Sequence, residues 1–328
     1  MPQRLVALAD SPFPSLDPAR AVLSSIGAEL CLAEQPTPEG ILRVARDADA
    51  LMVTYAKITA EMIREMKRCQ IISRVGIGTD NIDIAAATDA GVVVTKVPDY
   101  CVDEVSDHTL ALLLALVRKI PQANSRTHAG RWELSSLTPI HRLRGTVLGL
   151  MGFGRIPQLV APKAKAFGVR VMVHDPYVSR ETLTRAGAES ASFGELLKIS
   201  DYVSIHSPLT PETQGLFNAG AFRQMKATAY LINTARGPII DEAALASALD
   251  AGQLAGAALD VLSQEPPSNS PLFGRDNVIL TPHMSYYSVE SLVELQTRAA
   301  EEVVRALSGQ AVRNPVNPEV LQRTNRSS

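Results

Sequence analysis

Thr146-Val-Leu-Gly-Leu-Met-Gly-Phe-Gly-Arg-Ile-Pro157 is the stretch that decides the fold. Its first half, Thr146–Met151, is apolar and reads as a strand covered on both faces, as in a parallel sheet. Its second half is a glycine turn opening a helix. Gly152 and Gly154 take the first two places of G-x-G-x-x-G. The first permits the tight turn, and the second lets backbone N–H groups, here those of Arg155 and Ile156, approach a pyrophosphate at the helix N-terminus. Pro157 stands where the third glycine belongs. A proline in the first helical turn loses no intrahelical hydrogen bond, but it disfavours helical geometry at Ile156. Pro162, further in, is expected to kink the helix. The motif is therefore expected in strained form.

The context outward from this turn strengthens it. Val169–His174 reads as the next strand and ends at Asp175, 23 positions after Gly152. A carboxylate there accepts hydrogen bonds from ribose hydroxyls and repels a 2′-phosphate, which predicts NAD over NADP. The bland alternative is an ordinary βαβ turn with a surface Asp175. Further strands are expected at Tyr202–Ser207, Tyr230–Thr234, Ala257–Val261 and Val278–Thr281, making six. Ser192-Phe-Gly-Glu195 is a capping box, and Thr210-Pro211 predicts a helix with proline at its first position. Upstream, Leu5–Ala9, Leu30–Ala33, Leu51–Thr54, Ile71–Val75 and Val92–Thr95 read as a second, smaller set of strands. A helix over Thr59–Arg68, capped by Thr59, is expected among them. One long helical stretch from Val102 to about His128 joins the two sets. Ser288–Leu307 is a helix long enough to return to the first domain. The tail from Arg313, rich in Pro, Asn and Ser, reads as a mobile end.

The chain has 328 residues, above the roughly 250–300 at which one core stops growing, so two domains are expected. Apolar residues make up 46%, enough for a real core. With 32 basic and 34 acidic residues the net charge is −2, which gives no electrostatic footprint for nucleic acid or an anionic membrane. The longest apolar run, Leu110–Val117, is too short to span a bilayer. Leu5–Ala9 followed by Asp10 and Pro12 is not a signal-peptide pattern. Cys31, Cys69 and Cys101 show no paired spacing, pointing to a reducing, cytoplasmic setting. No H-x-x-x-H, C-x-x-C or carboxylate cluster is present, so no metal site is expected.

Three strand ends carry possible chemistry. Asn233-Thr-Ala-Arg-Gly237 puts Arg236 where ligands bind in open parallel sheets, and its planar fork suits a carboxylate. Leu259-Asp-Val-Leu-Ser-Gln-Glu265 carries Asp260 and Glu265. Thr281-Pro-His283 carries the natural acid–base group near neutrality, whose ring Glu265 could hold and whose pKa it could raise by charge. Each alone has a bland reading as a surface or loop residue.

Together these motifs resemble the D-isomer-specific 2-hydroxyacid dehydrogenases. The resemblance runs from about Leu5 to Leu307, through Ser73-Arg-Val-Gly-Ile-Gly-Thr-Asp-Asn-Ile-Asp83, the glycine turn, His206-Ser-Pro-Leu-Thr-Pro-Glu-Thr213, Asn233–Gly237, Ala258-Leu-Asp-Val261, Glu265-Pro-Pro267 and Thr281–His283. It implies an α/β protein of two doubly wound parallel-sheet domains. A flavodoxin-like substrate domain would comprise residues 1–98 and 288–328, and a Rossmann NAD-binding domain residues 99–287, with the active site between them. It implies that Arg236 binds the substrate's carboxylate and carbonyl oxygen, that His283 is the acid–base and that Glu265 pairs with it. Val75 and Gly76 would cradle the substrate carboxylate through their N–H groups. Besides Gly152, Gly154, Arg155, Ile156 and Asp175, the cofactor set would include His206, Ser207, Pro208, Thr213, Thr234, Ala235, Arg236, His283 and Asp260, the last at the nicotinamide amide. Members are usually dimers, with the Val102–His128 region in the interface.

Within the family, the phosphoglycerate dehydrogenase-like and C-terminal-binding-protein-like branches look most similar. His174-Asp-Pro-Tyr177 and Pro282-His-Met-Ser-Tyr-Tyr-Ser288 resemble the latter, with Tyr286 either lining the pocket or packing at the domain seam. Phosphoglycerate enzymes tend to have arginine where Thr54 stands, with Lys57 a possible substitute, so an unphosphorylated 2-keto acid is expected as substrate. The alternative is an NAD(H)-sensing regulatory protein with little turnover.

Overall fold

The computed structural model describes residues 3–324, which divide into two compact units, 3–100 with 288–324, and 101–287. The first unit alternates β1 (Arg4–Leu8), α1 (Asp17–Leu23), β2 (Ala28–Leu32), α2 (Pro38–Ala45), β3 (Ala50–Val53), α3 (Ala60–Glu65), β4 (Ile71–Arg74), α4 (Ile84–Asp89) and β5 (Val93–Thr95). All its strands are parallel, in the order β2-β1-β3-β4-β5, which is the flavodoxin-like order.

The second unit opens with α5 (Val102–Val117) and α6 (Ile120–His128). It continues through β6 (Val147–Met151), α7 (Arg155–Ala166), β7 (Arg170–His174), α8 (Arg180–Arg185), β8 (Glu189–Ser190), α9 (Phe193–Ile199), β9 (Tyr202–Ile205) and α10 (Ala219–Phe222). It ends with β10 (Tyr230–Asn233), α11 (Glu242–Asp250), β11 (Gly256–Leu259) and β12 (Val278–Leu280). Its parallel sheet runs β12-β11-β10-β9-β6-β7-β8. Every residue of β6, β9 and β11 is buried, as apolar central strands between two helix layers must be. The helix α12 (Val289–Leu307) then belongs to the first unit, where it packs on α1 and the β3–β4 surface. There Ser73 Oγ donates to the Ala299 carbonyl at 2.9 Å. The last helix is α13 (Glu319–Thr324).

Five expectations need correction. The Val102–His128 stretch is two helices, broken at Lys119, which takes φ +53°. Pro121 has no N–H and its ring would clash with the Val117 carbonyl, so one continuous helix cannot pass. The helix begun at Thr59 ends at Glu65 rather than Arg68. No helix follows Thr210-Pro211: Gln214 N–H reaches the Thr210 carbonyl for one turn, and Gly215 at φ +62° ends it. A seventh strand, the two-residue β8, escaped notice because so short an exposed edge carries no periodic signal.

The tail is also not a loose end within the described residues. Asn317 is buried and its side chain accepts from Val94 N–H and donates to Thr88 Oγ1 and the Val92 carbonyl. Pro315 bridges Thr95 on the free edge of β5, so the tail satisfies an edge that would otherwise stand open.

Pro157 does not delay α7, which starts at Arg155. It is the third helical residue, where its missing N–H has no helical acceptor, and it is buried in place of the expected glycine. The helix continues past Pro162 to Ala166.

Candidate active site

The order of the seven-stranded sheet reverses between β6 and β9, and such a switch point opens a crevice at the carboxyl ends of the strands. The glycine turn lies there. Gly152 takes φ +94°, and a Cβ on it would stand 3.0 Å from the His206 carbonyl oxygen and 3.2 Å from Ser207 N, both backbone atoms that cannot step aside. A side chain is therefore excluded twice, by conformation and by space. A Cβ on Gly154 would meet nothing within 4 Å. Gly154 is the N-cap residue of α7, so no N-cap side chain folds back over its first turn. Open space at Gly154, directly before a helix N-terminus, fits a pyrophosphate.

Asp175 follows β7. Its Oδ2 accepts from Phe153 N–H at 2.8 Å and its Oδ1 from Tyr177 N–H at 2.9 Å. The carboxylate is thus fixed beside the glycine turn, with lone pairs remaining for hydroxyl donors. Donor, acceptor and cradle all fit a dinucleotide.

After β9, His206 acts as a wall. Burial pushes it down to about 3, so its ring is neutral, and Nε2 pairs with Ser204 Oγ at 2.9 Å. Ser207 Oγ donates to the Met151 carbonyl. Thr213 Oγ1 donates to the Pro208 carbonyl at 2.7 Å and accepts from Thr210 N–H at 2.8 Å, which pins the turn. After β10, Thr234 Oγ1 lies 3.0 Å from Thr109 Oγ1 on α5. Asn233 accepts from Ala235 N–H and donates to the Arg236 carbonyl, so its buried amide shapes the turn that presents Arg236. One guanidinium N–H of Arg236 bonds the Ala235 carbonyl at 2.8 Å.

His283 and Glu265 meet. His283 Nδ1 lies 2.6 Å from Glu265 Oε2. Burial acts to raise the Glu265 carboxyl, but the hydrogen bond and charge of His283, the N–H of Leu262 and the charge of Arg236 outweigh it and hold it below the usual range. Glu265 is therefore a carboxylate that only accepts, and Nδ1 carries the proton. Tyr286 stands edge-on to the His283 ring, with centroids 6.2 Å apart.

The Glu265 loop is held from three sides that sequence reading overlooked. Leu262 N–H donates to Glu265 Oε1 at 2.9 Å. Glu242, opening α11, accepts from Ser263 N–H at 2.6 Å and from Ser270 Oγ at 3.0 Å. Gly237 lies so close under the loop that a Cβ would fall inside the Leu262 carbonyl. The signal for Gly237 was visible in Asn233–Gly237, but its reason, contact with a loop 25 residues on, was not.

Two expectations meet a different arrangement. The Asp260 side chain is 0% exposed. It accepts from Thr281 Oγ1 at 2.5 Å and from Met284 and Ser285 N–H at 2.9 Å each. It is committed to the loop that carries His283, not directed outward to an amide. Val75 and Gly76 belong to the other unit, and their N–H groups already donate, to the carbonyls of Val53 and Arg74. Val75 prolongs the ladder of β4 by one residue and Gly76 closes a tight turn at φ +151°, so neither N–H is a ready cradle for a carboxylate.

Residues 110–285 match the family model for the D-isomer specific 2-hydroxyacid dehydrogenase, NAD binding domain. D-3-phosphoglycerate dehydrogenase of Methanocaldococcus jannaschii is 38% identical over 94% of this chain and 59% of its own length. That of Archaeoglobus fulgidus is 41% identical over 85% and 53%. The chain thus spans somewhat over half the length of these relatives. The structure of D-lactate dehydrogenase from Aquifex aeolicus, complexed with NAD and lactic acid, superposes with a TM-score of 0.87 at 30% identity, covering 96% of this chain and 99% of that one. Two doubly wound sheets, a glycine turn at the switch point and a paired histidine and glutamate at the strand ends agree with that match, and the chain belongs to the D-isomer specific 2-hydroxyacid dehydrogenase family.

Proposed function

We propose that the protein is an NAD-dependent D-2-hydroxyacid dehydrogenase that interconverts a small 2-oxo acid and its D-2-hydroxy acid. The observation that carries this reading is the 2.6 Å pairing of His283 Nδ1 with Glu265, beside the charge of Arg236. The nicotinamide, when bound, supplies or accepts the hydride. Gly152, Gly154 and the N–H groups of Arg155 and Ile156 would hold the pyrophosphate, and Asp175 the ribose hydroxyls. Arg236 would pair with the substrate carboxylate through its planar fork. His283 would give a proton to the carbonyl oxygen in reduction and take one from the hydroxyl in oxidation. With Nδ1 tied to Glu265, the proton exchanged is the one at Nε2, and the carboxylate stabilises the imidazolium.

An unphosphorylated substrate fits the first unit better. Thr54 is buried where phosphoglycerate enzymes tend to carry arginine. Asp10 fills the backbone donors there, accepting from Thr54, Tyr55 and Ala56 N–H at 2.8, 2.6 and 3.2 Å. That nest already holds a negative charge, which would repel a phosphate. The second reading, phosphohydroxypyruvate as substrate, is favoured by the names of the relatives at 38% and 41% identity. A homodimer in a reducing, cytoplasmic setting completes the proposal. Trp132 and Leu134, 90% and 67% exposed, form apolar surface just beyond α6 that suits a second copy. No cysteine of the described residues is in a disulfide, and no helix among them is long and apolar enough to cross a membrane.

The test is titration with NADH and NADPH followed by nicotinamide fluorescence, then addition of pyruvate, glyoxylate, longer 2-oxo acids and phosphohydroxypyruvate. Selective NADH binding with oxidation by an unphosphorylated acid, abolished by His283→Ala, is expected. A kcat/KM far higher for phosphohydroxypyruvate would install the second reading. Binding without turnover of any acid would favour an NAD(H)-sensing role.

A further inference from the structure

We propose that His108, on α5, is a positioning residue for His283, acting through Thr281 and Asp260; the proposal rests on the acid–base role given to His283 above. His283 sits at φ +51°, in the left-handed region that a residue with a Cβ rarely occupies. Three consecutive backbone donors keep it there. His283 N–H reaches the Asp260 carbonyl at 2.8 Å, and Met284 and Ser285 N–H reach the Asp260 carboxylate at 2.9 Å. The direction of the His283 ring therefore depends on where that buried carboxylate stands.

The carboxylate is fixed from its other side by Thr281 Oγ1 at 2.5 Å. A hydroxyl has one proton, and an ionised carboxylate can only accept, so the Thr281 proton points to Asp260. His108 Nε2 lies 3.1 Å from the same hydroxyl oxygen. With the Thr281 proton already given, Nε2 must be the donor. This settles the ring as bearing hydrogen on Nε2 and orders the chain as His108 Nε2–H to Thr281 Oγ–H to Asp260. His108 Nε2 also lies 3.7 Å from Asp260 Oδ1, so the same N–H dipole faces the buried charge. The ring does two things an apolar side chain cannot. It stops the Thr281 hydroxyl from rotating away, and it helps to compensate a carboxylate with no access to water.

The test compares His108→Leu, which removes the donor, with His108→Gln, whose amide N–H has similar reach, and with Thr281→Val. Four quantities are read: kcat and KM for the 2-oxo acid turned over, the NADH dissociation constant, and the downfield proton resonance of His283 Nδ1–H, assigned by its loss in His283→Ala. Loss of one donor to a buried carboxylate should lower kcat about tenfold in His108→Leu, with NADH affinity within about twofold. His108→Gln should recover most of the loss, and the double variant with Thr281→Val should be no worse than the poorer single one. The Nδ1–H resonance should move or broaden in both single variants and return with Gln. Unchanged kcat in a folded His108→Leu protein, a Gln variant no better than Leu, or additive losses would overturn the proposal. If His108→Leu does not fold, Thr281→Val carries the same readings. If the natural protein turns over no 2-oxo acid, the proposed function falls, and the resonance alone decides the positioning role: unmoved, it overturns it.

Discussion

Replacing Gly237 with alanine should disable the site while leaving the sheets in place. A Cβ there would stand 2.5 Å from Ser263 N and closer still to the Leu262 carbonyl. Ordinary contact begins at 3.4 Å and the Leu262 carbonyl would be 2.0 Å away, so the loop backbone must retreat by about 1.4 Å. That loop carries Leu262 N–H on Glu265 Oε1 and Ser263 N–H on Glu242. Moving it draws Glu265 away from His283, whose 2.6 Å bond tolerates little displacement. Overpacking of this kind costs about 1–3 kcal/mol of stability. A shift near 1 Å at a reacting group can lower kcat by about a hundredfold. Urea unfolding would give the first quantity and steady-state oxidation of NADH by the preferred 2-oxo acid the second. A Gly237→Ala protein with natural stability and natural kcat would refute the argument, because it would mean that the loop yields without disturbing Glu265.

Asp175→Ala should weaken NADH binding by about tenfold and narrow the preference over NADPH, as loss of an ionised acceptor and of its repulsion of a 2′-phosphate requires; fluorescence titration with both nucleotides decides it, and an unchanged preference would count against the assignment. The Glu265 carboxyl is held below its ordinary 4.5, so its contribution to stability is complete above that pH and is lost as pH falls through the lower folded value. Thermal unfolding between about pH 3 and 6 should therefore show a steeper acid loss in the natural protein than in Glu265→Gln; equal slopes would contradict the shift. Asn317→Ala should destabilise the first unit by about 2–3 kcal/mol, since Val94 N–H and its neighbours lose a buried partner. Chemical unfolding followed at that unit would read it, and a loss below about 0.5 kcal/mol would show that the tail adds nothing to the β5 edge.

What could be read in the residues was whatever is local or periodic. Thr146–Pro157 fixes its own conformation: buried apolar alternatives on a strand, then glycines where a side chain cannot stand. Arg236, Glu265 and His283 could be singled out because each ends a recognisable strand, and strands of a parallel sheet all end on the same side. The capping box at Ser192 needs only three residues, and it formed as expected. Pro157 could be judged only by the register of α7, which decides whether its missing N–H matters.

The tertiary structure decided whatever joins residues distant in sequence. Asp260 looked like a group facing outward until the chain from Thr281 to Ser285 was seen to wrap it. His108 gave no sign of a role, because its partner Thr281 lies 173 residues away. The tail looked mobile from its composition, yet Asn317 accepts from Val94 N–H on β5, more than 200 residues earlier. Val75 and Gly76 looked like open donors until the neighbouring strand claimed one and a tight turn the other. Sequence pattern reports what a residue prefers, but whether a donor, a carboxylate or a ring is already engaged depends on long-range closure of the chain, and only the folded molecule contains that.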